Sequence, residues 1–530
     1  MRRFSLALQK RIRTITAMSS GSPAHKISKD ELLDLVNRQA ATIEQLQSKI
    51  RWFEEQFHLA QHKQFGASSE RSVSPQGELF NEAEAIAEAG PVAEEIRQSI
   101  SYERKKPGRK PVPKDLPIER IEYRIPEEER ICPCCGSAMH EMSTETRHEV
   151  QFIPAQTKIV QHVRFVYGCR NCEKTGIEVP IKTAQAPRPV IEKGLASASA
   201  LAYVMTLKFV EGLPLYRQEQ HYARMGMDLS RGVLSNWMLK GGDWLELIYG
   251  RLHHKLLEQG VLHADETTVQ VLKEPGRAAE SQSYMWLYRT GCTGPPIVLF
   301  EYQPSRSGDH PRKFLEGFKG YLQVDGYAGY NDIPNAELAG CWAHLRRKFD
   351  EALKGLPPKQ RSSECKAQQA INQINRLFAI EREIAQLTPE ERIKARELRS
   401  RLVVEGFRKW LDDISTAVLP KSLLGSAVHY GRQQWSKLIR FLEDGRIELS
   451  NNRAERSIKP FVIGRKNWLF ANTPRGARAS AIIYSIVETA KENRLNPYTY
   501  LTYLFEMLPN LESRDPATLD QLLPWNVKLN

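Results

Sequence analysis

Asp265 lies inside Val261–Leu272, a run that follows Gly260 and whose β-branched, alternating residues predict a β-strand. Aspartate is depleted in strands, and a carboxylate buried without a partner costs several kcal/mol or shifts its pKa. Because Asp265 shares a face with Val269 and Val271, it requires a partner, and a metal ion is one candidate. The alternative is a structural aspartate that bonds to a loop at the end of its strand.

A second aspartate follows in a similar position further along the chain. Strands are predicted at Tyr284–Tyr288 and Pro296–Tyr302, then a short helix, then a fourth strand that ends at Asp325. Three strands, a helix and an acid-bearing strand are the order of a ribonuclease-H-like sheet, in which the first and fourth strands are neighbours. The order therefore predicts that Asp265 and Asp325 lie side by side at strand ends, with Glu266 on the opposite strand face.

A third acid lies in a predicted helix. Ser450 is expected to cap this short helix and Pro460 to end it, which puts Asn451 and Glu455 on one stripe. Two strand aspartates and one helical glutamate are what two-metal phosphoryl transfer requires, because Mg²⁺ takes carboxylate oxygens and leaves sites for phosphate and water.

Four cysteines form two C-x-x-C pairs with a spacing that suits metal binding. Two such pairs can supply four thiolates to a tetrahedral Zn²⁺, so a zinc ribbon is predicted, with a redox pair as the alternative; the expected ligands are Cys132, Cys135, Cys169 and Cys172. Eight cysteines in 530 residues do not make a disulfide scaffold, and the pairing of four of them as C-x-x-C indicates metal binding and a reducing compartment.

The charge balance favours a polyanionic partner, nucleic acid first. Lys and Arg number 76 against 63 Asp and Glu, a net charge of +13. No apolar run is long enough to cross a membrane or to serve as a cleaved signal. Arg109 and Lys110, in a Gly-Arg-Lys-Pro arm, are expected to enter a minor groove, although a solvated basic linker is equally compatible with that composition.

The regions on either side of these motifs are predicted to be helical. A helix, a turn at Gly226 and a helix capped by Ser230 are compatible with a helix-turn-helix, as they are with many helical hairpins. Near the N-terminus, apolar residues alternate in steps of four and three, which favours a coiled-coil dimer over a helix packed on its own domain; they include Leu32, Val36, Ile43, Leu46, Ile50, Phe53 and Phe57.

Together these features predict a multidomain α+β protein. The expected segments are a disordered tail (1–27, with Met18 as an alternative start), a coiled coil (28–62), a flexible linker with the basic arm (63–118), a zinc ribbon (119–190), a helical DNA-binding region (191–255), a ribonuclease-H-like α/β catalytic core in two parts (256–349 and 446–475) around a helical insertion (350–445), and a C-terminal helical region (476–530).

Several motifs resemble those of the insertion-sequence-66-type transposases of bacteria, over nearly the whole chain. They are Pro-Gly-Arg-Lys-Pro, Cys-Pro-x-Cys-Gly, Leu-Pro-Leu-Tyr-Arg, His-Ala-Asp-Glu-Thr, Val-Asp-Gly-Tyr, Cys-Trp-Ala-His-Leu-Arg-Arg, Asn-Asn-x-Ala-Glu-Arg and Gly-Arg-Lys-Asn-Trp-Leu-Phe. That family has an Asp-Asp-Glu site with a helical insertion before the glutamate. The resemblance implies that Asp265, Asp325 and Glu455 are the three acids.

The resemblance also implies a reaction and its partners. A DNA transposase would cleave the ends of its element with Mg²⁺ or Mn²⁺ and join the freed 3′-OH to target DNA, in the cytoplasm of a bacterium at the nucleoid. Expected partners are inverted-repeat ends, target DNA, a second copy and accessory proteins of the element. DNA contacts are expected from Arg217, Arg465 and Lys466, and support of the site from Asn451, Asn452, His344 and Arg346.

Two other functions fit the same features. One is a metal-dependent, structure-specific nuclease on the same fold, which would cut without strand transfer. The other is a DNA-binding regulator without chemistry, in which all three acids would be dispensable.

Overall fold

The computed structural model describes residues 29–65, 157–167 and 181–529 and shows a mixed α+β architecture. The expected zinc ligands and the Gly-Arg-Lys-Pro arm lie outside these residues. All the elements named below belong to one compact unit, which excludes residues 91–163. Among the described helices, none is long and apolar enough to cross a membrane.

The first elements are mostly helical, as their periodicity predicts. They are α1 (Lys29–Phe65), the antiparallel pair β1 (Val166–Tyr167) and β2 (Lys182–Thr183), α2 (Ala198–Phe209), α3 (Leu215–Arg224) and α4 (Arg231–Leu257). Gly226 turns the chain between α3 and α4 with φ +80°, and the Ser230 hydroxyl accepts the Val233 N–H at the start of α4. A capped helical hairpin therefore forms there.

The central sheet has the strand order β5–β4–β3–β6–β7. Its members are β3 (Val261–Gln270), β4 (Gln282–Thr290), β5 (Val298–Gln303), β6 (Gly320–Gln323) and β7 (Ala336–Ala339), with α5 (Asp309–Phe314) before β6. β3 to β5 run antiparallel, and β6 and β7 run parallel to β3. The first and fourth strands of this sheet are neighbours, in agreement with the expected order.

Asp265 is not at the end of its strand, which corrects the expectation for that residue. β3 continues to Gln270 in register with β4, where Asp265 lies opposite Leu287. β3 pairs with β6, however, only from Val261 to His263. Asp265 therefore lies just past the end of the parallel ladder, where one edge of β3 is released from β6.

A helical segment follows the sheet: α6 (Trp342–Gly355), α7 (Lys366–Glu383), α8 (Pro389–Ser415), α9 (Leu423–Gln433) and α10 (Trp435–Leu438). These helices share an apolar core that includes Trp342, Phe349 and Phe407. The α1 helix packs on α6, and the Glu55 carboxylate accepts the Leu423 N–H at 3.0 Å.

The chain then returns to the sheet as α11 (Asn452–Trp468), which packs on β3 and β4. The prediction of a short helix that ends at Pro460 is wrong, because α11 continues for two further turns beyond the proline. Pro460 removes one backbone donor, but the neighbouring Ile458 and Phe461 are buried in the main core, and that packing holds the helix together. The expected cap at Ser450 is also wrong, since Asn451 occupies that position and its side chain bonds elsewhere.

Helix α12 (Pro474–Glu492) packs against β5, the outer strand of the sheet. Helices α13 (Pro497–Met507) and α14 (Pro516–Asp520) follow it. The Ser485 hydroxyl accepts the Phe300 N–H at 2.7 Å, and the Thr489 hydroxyl bonds both the N–H and the C=O of Val298. Unpaired backbone groups of an edge strand invite pairing with other chains. In this protein, two side chains of α12 satisfy such groups on β5.

Gly320 should tolerate no side chain, because it begins β6 with φ +150° and a Cβ there would lie 2.4 Å from the Gly260 carbonyl oxygen. We expect Gly320→Ala to lower the free energy of unfolding by about 1–3 kcal/mol, measured by thermal unfolding of the full chain. Gly250→Ala is the matched control, because nothing lies within 4 Å of that position in α4. If both variants lowered the free energy of unfolding equally, the close approach of Gly320 to Gly260 would not be the cause.

Candidate active site

Both aspartates are held by backbone donors close to them in sequence. Asp265 Oδ1 accepts the N–H of Glu266 at 2.9 Å, and Asp325 Oδ1 accepts the N–H of Tyr327 at 2.8 Å. The second contact closes a turn directly after β6, so that Asp325 emerges beside β3.

Gly326 allows the helical segment to approach this turn. A Cβ at Gly326 would lie 2.6 Å from the Tyr430 ring of α9. The aromatic side chain therefore covers the backbone next to Asp325, and the helices that follow β7 form one wall of the site.

Glu455 points inward from the first turn of α11 and is only 3% exposed. Its Oε2 accepts a hydrogen bond from Arg347 Nη2 at 3.2 Å, and its Oε1 lies 3.6 Å from His344 Nδ1. Both partners lie on α6, so this helix and α11 face each other across the glutamate.

The three acids influence one another electrostatically. Burial raises the pKa of Asp265 well above its usual value, and the negative charges of Glu266, Glu455 and Asp325 raise it further. Like charges are held together here at a cost in free energy, which a bound cation would offset. Carboxylate oxygens are the ligands that Mg²⁺ and Mn²⁺ prefer, so these three residues could hold such an ion.

Glu266 has a different environment from the other acids. Its carboxylate accepts hydrogen bonds from Arg306 and from the Tyr330 hydroxyl, and its side chain is 2% exposed. Burial raises its pKa, while the Tyr330 and Arg306 hydrogen bonds lower it. Glu266 is therefore engaged in a structural ion pair, although it is adjacent to Asp265.

Asn451 joins the helix of Glu455 to the strand of Asp265. Its Nδ2 donates to the Ala264 carbonyl at 2.8 Å, and its Oδ1 lies 3.0 Å from His263 Nδ1. Burial lowers the pKa of His263 to about 4, so the ring is neutral and its Nδ1–H can donate to Asn451. The sequence suggested Asn451 or Asn452 as a support of Glu455, and Asn451 makes these contacts while Asn452 is buried in the first turn of α11.

Two residues near Glu455 were missed by the sequence reasoning. Arg347 bonds the glutamate, whereas the expected Arg346 donates through its Nε to Asn375 of α7 at 2.8 Å. Cys341 lies at the start of α6, and its sulfur accepts the Asn451 N–H at 3.1 Å. The steps of three from Cys341 to His344 to Arg347 define one face of a helix, and that spacing was the available signal.

His344 carries a positive charge in this environment. Burial by itself would lower its pKa, but the adjacent Cys341 and Glu455 outweigh that effect and raise the pKa to about 9. Among the described residues, the ligand atoms of Cys341, His344 and Glu455 all lie within 4.8 Å of one another. Glu455 therefore belongs to this cluster and is also close enough to Asp265 for its charge to raise that residue's pKa.

The described residues that were expected to contact DNA lie on two different helices, α11 and α3. Arg465 crosses from α11 to β3, where its Nη1 donates to the hydroxyls of Thr267 and Thr268 at 3.3 and 3.1 Å. Lys466 is exposed beside it. Arg217 lies on α3, exposed and over the ring of Tyr216.

Family models match most of this chain. The model described as "Transposase IS66 family" matches residues 193–479, which contain all three acids. The chain belongs to the IS66 transposase family. Three further models of the same group match: "zinc-finger binding domain of transposase IS66" at 129–173, "Transposase C of IS166 homeodomain" at 52–121, and "IS66 C-terminal element" at 485–525.

Similar proteins are found in Sinorhizobium fredii. The uncharacterized protein y4jD is 33% identical, over 79% of this chain and 81% of its own length. The uncharacterized protein y4qI is 31% identical, over 88% of this chain and 87% of its own length, and y4hP is 29% identical over similar shares.

The family assignment establishes the general role of this IS66 member. The matched domains support a transposase, that is, an enzyme that processes DNA, and DNA as its partner. The zinc-finger match includes Cys132, Cys135, Cys169 and Cys172 and supports a structural zinc in this part of the transposase.

Without divalent metal, Asp265→Asn should stabilise the transposase at neutral pH. Because the folded-state pKa of Asp265 is raised, its contribution to stability is complete below the ordinary value of 3.8 and is lost as the pH rises through the folded value. The variant's advantage in thermal unfolding midpoint should therefore grow with pH. Asp413→Asn, at an exposed position, should show no such trend; equal pH profiles of wild type and Asp265→Asn would contradict the assigned environment.

Proposed function

We propose that this transposase cleaves the ends of its insertion sequence and joins the 3′-OH ends to target DNA by two-metal phosphoryl transfer. The observation that carries the proposal is the convergence of Asp265 on β3, Asp325 just after β6 and Glu455 on α11, where burial and the neighbouring negative charges raise the pKa of Asp265. The strand order, with the helices between β7 and α11, supports a ribonuclease-H-like core with a helical insertion.

The donor set fits Mg²⁺ or Mn²⁺. All three side chains offer carboxylate oxygens, and Glu455 Oε1 is buried with no hydrogen-bond partner among the described residues. Divalent metal, when bound, supplies the positive charge that favours attack at phosphorus and stabilises the leaving oxygen. The protein's own contribution is to hold the three acids at one point, with Asn451 fixing α11 on β3.

Basic side chains near the acids are suited to hold the DNA backbone. Arg465 is fixed by Thr267 and Thr268, two to three residues beyond Asp265 on β3, and Lys466 extends the charge to the surface. Phosphate contacts of this kind position DNA without reading its sequence. Arg217 on the α3–α4 hairpin, and Arg109 and Lys110 in the arm, are further contacts in this proposal.

The acids can be tested directly with purified full-length transposase and DNA that contains the element's ends. In Mg²⁺, we expect Asp265→Asn, Asp325→Asn and Glu455→Gln each to reduce nicking by at least about 100-fold, because each removes a ligand to the reacting centre. Asp332→Asn, whose side chain is 82% exposed, should nick normally.

The same assay separates the rival functions. Nicking at element ends without joining to a target would favour a structure-specific nuclease. DNA binding that persists while all acid variants behave as wild type would favour a regulator without chemistry, and would contradict the proposed site.

We also propose that α1 pairs with a second copy of the chain as a coiled coil. Its apolar seam remains uncovered in the single chain, where Val36, Ile43, Leu46, Ile50 and Phe53 are 53–65% exposed. Exposed apolar stripes of this length are unfavourable in water and mark interaction surfaces. A dimer would present two active sites, one for each element end, and accessory proteins of the element remain further partners in this proposal.

Ile43→Lys should break this pairing, because it places a charge in the apolar seam. The full chain should then shift from dimer to monomer in light scattering coupled to size exclusion. Gln45→Lys adds the same charge off the seam and should leave the dimer intact. A wild-type chain that is monomeric at micromolar concentration would contradict the proposal.

A further inference from the structure

Cys341, His344 and Glu455 form a cluster in which two residues have no part in the proposed mechanism. Cys341 precedes α6, His344 lies in its first turn, and Glu455 lies in the first turn of α11. Their ligand atoms all lie within 4.8 Å of one another. Two helix starts thus bring a sulfur, a nitrogen and an oxygen to one point.

Two polar atoms of this cluster face each other without a hydrogen bond between them. Within the described part of the chain, His344 Nδ1 and Glu455 Oε1 are buried without a hydrogen-bond partner, and their separation of 3.6 Å is too long for one. Buried polar atoms that lack a hydrogen bond are unfavourable in a folded protein, and a bound cation would satisfy both of these. Arg347 occupies the other oxygen of Glu455, so that Oε1 alone faces His344.

The geometry and the donor types suit a zinc-like ion. An imidazole nitrogen and a carboxylate oxygen held at about 2.0–2.2 Å by a tetrahedral Zn²⁺ lie roughly 3.3–3.5 Å apart, close to the 3.6 Å between His344 and Glu455. Thiolate and imidazole select Zn²⁺ and Co²⁺ over Mg²⁺, which takes oxygen ligands. The Asn451 N–H donates to the Cys341 sulfur at 3.1 Å and so fixes its position in the cluster.

We propose that a borderline transition-metal ion such as Zn²⁺ binds Cys341 Sγ, His344 Nδ1 and Glu455 Oε1, and that it holds Glu455 away from Asp265 and Asp325. Bound there, the ion inhibits the DNA chemistry, because it occupies Glu455 Oε1 while Arg347 holds Oε2, and both carboxylate oxygens are then engaged away from the aspartates. The inhibition rests on the proposed function, whereas binding of the ion does not.

Cobalt provides the test of binding, because thiolate coordination gives Co²⁺ a charge-transfer absorption. Full-length wild type and Cys341→Ser carry the same expected zinc-ribbon cysteines, so their difference isolates this cluster. Wild type should bind one more Co²⁺ per chain and absorb more strongly in the charge-transfer band. Cys292→Ser, which removes an exposed free cysteine, should match wild type.

Equal cobalt content and equal spectra for wild type and Cys341→Ser would overturn the proposal. If Cys341→Ser is poorly folded, His344→Gln provides the same test, because it keeps the contact between Asn451 and the sulfur. Asp265→Asn should still bind the extra Co²⁺, since it leaves all three ligands in place.

The inhibition has its own readout. With Mg²⁺ present, added Zn²⁺ should stop nicking by wild type, and a chelator selective for zinc should restore it. Nicking that is unaffected by Zn²⁺ while the cobalt signal is present would overturn the inhibitory role. Failure to nick in Mg²⁺ alone would contradict the proposed function instead, and the cobalt spectra would still decide the metal site.

Discussion

One buried amide, that of Asn451, holds the candidate active site together. Its side chain bonds the backbone of β3 at Ala264 and the ring of His263, and its own N–H bonds Cys341 at the start of α6. Each of these groups is buried, so breaking the contact leaves donors and acceptors unpaired at about 1–3 kcal/mol each. Asn451 thus ties β3, α6 and α11 together next to Asp265. Because Glu455 lies one turn further along α11, this attachment sets its position.

Packing in the rest of the protein offsets the free-energy cost of holding these acids together. Burial and neighbouring negative charges that raise the pKa of Asp265 oppose folding, and burial of the Glu266 carboxylate adds a desolvation cost. Two apolar clusters oppose these terms, one around the sheet with α4, α11 and α12, the other within the helices that follow β7. The acids lie between them, where α6 and α11 meet the released edge of β3. Sites at which buried like charges lower the stability of the fold are commonly functional.

Periodicity and strand order could be predicted from the sequence, whereas long-range packing could not. The neighbouring first and fourth strands followed from the order of the elements. The prediction that the helix ends at Pro460 was wrong, because burial of Ile458 and Phe461 outweighs the one hydrogen bond that the proline removes. The choice between Arg346 and Arg347 depends on which face of α6 meets α11, and no local pattern contains that information. The assigned roles of the acids, zinc ligands and DNA-contacting residues remain predictions for experiment.

The position of the helical segment between β7 and α11 has a consequence for synthesis of the protein. During translation both aspartates leave the ribosome early, but the glutamate follows only after α6 to α10. On the proposed mechanism, a nascent or prematurely terminated chain has its DNA-binding regions and two acids yet cannot cut. Frameshifted or truncated copies of the gene would therefore encode products that occupy DNA without breaking it, and the host would be exposed to cleavage only by chains completed through α11.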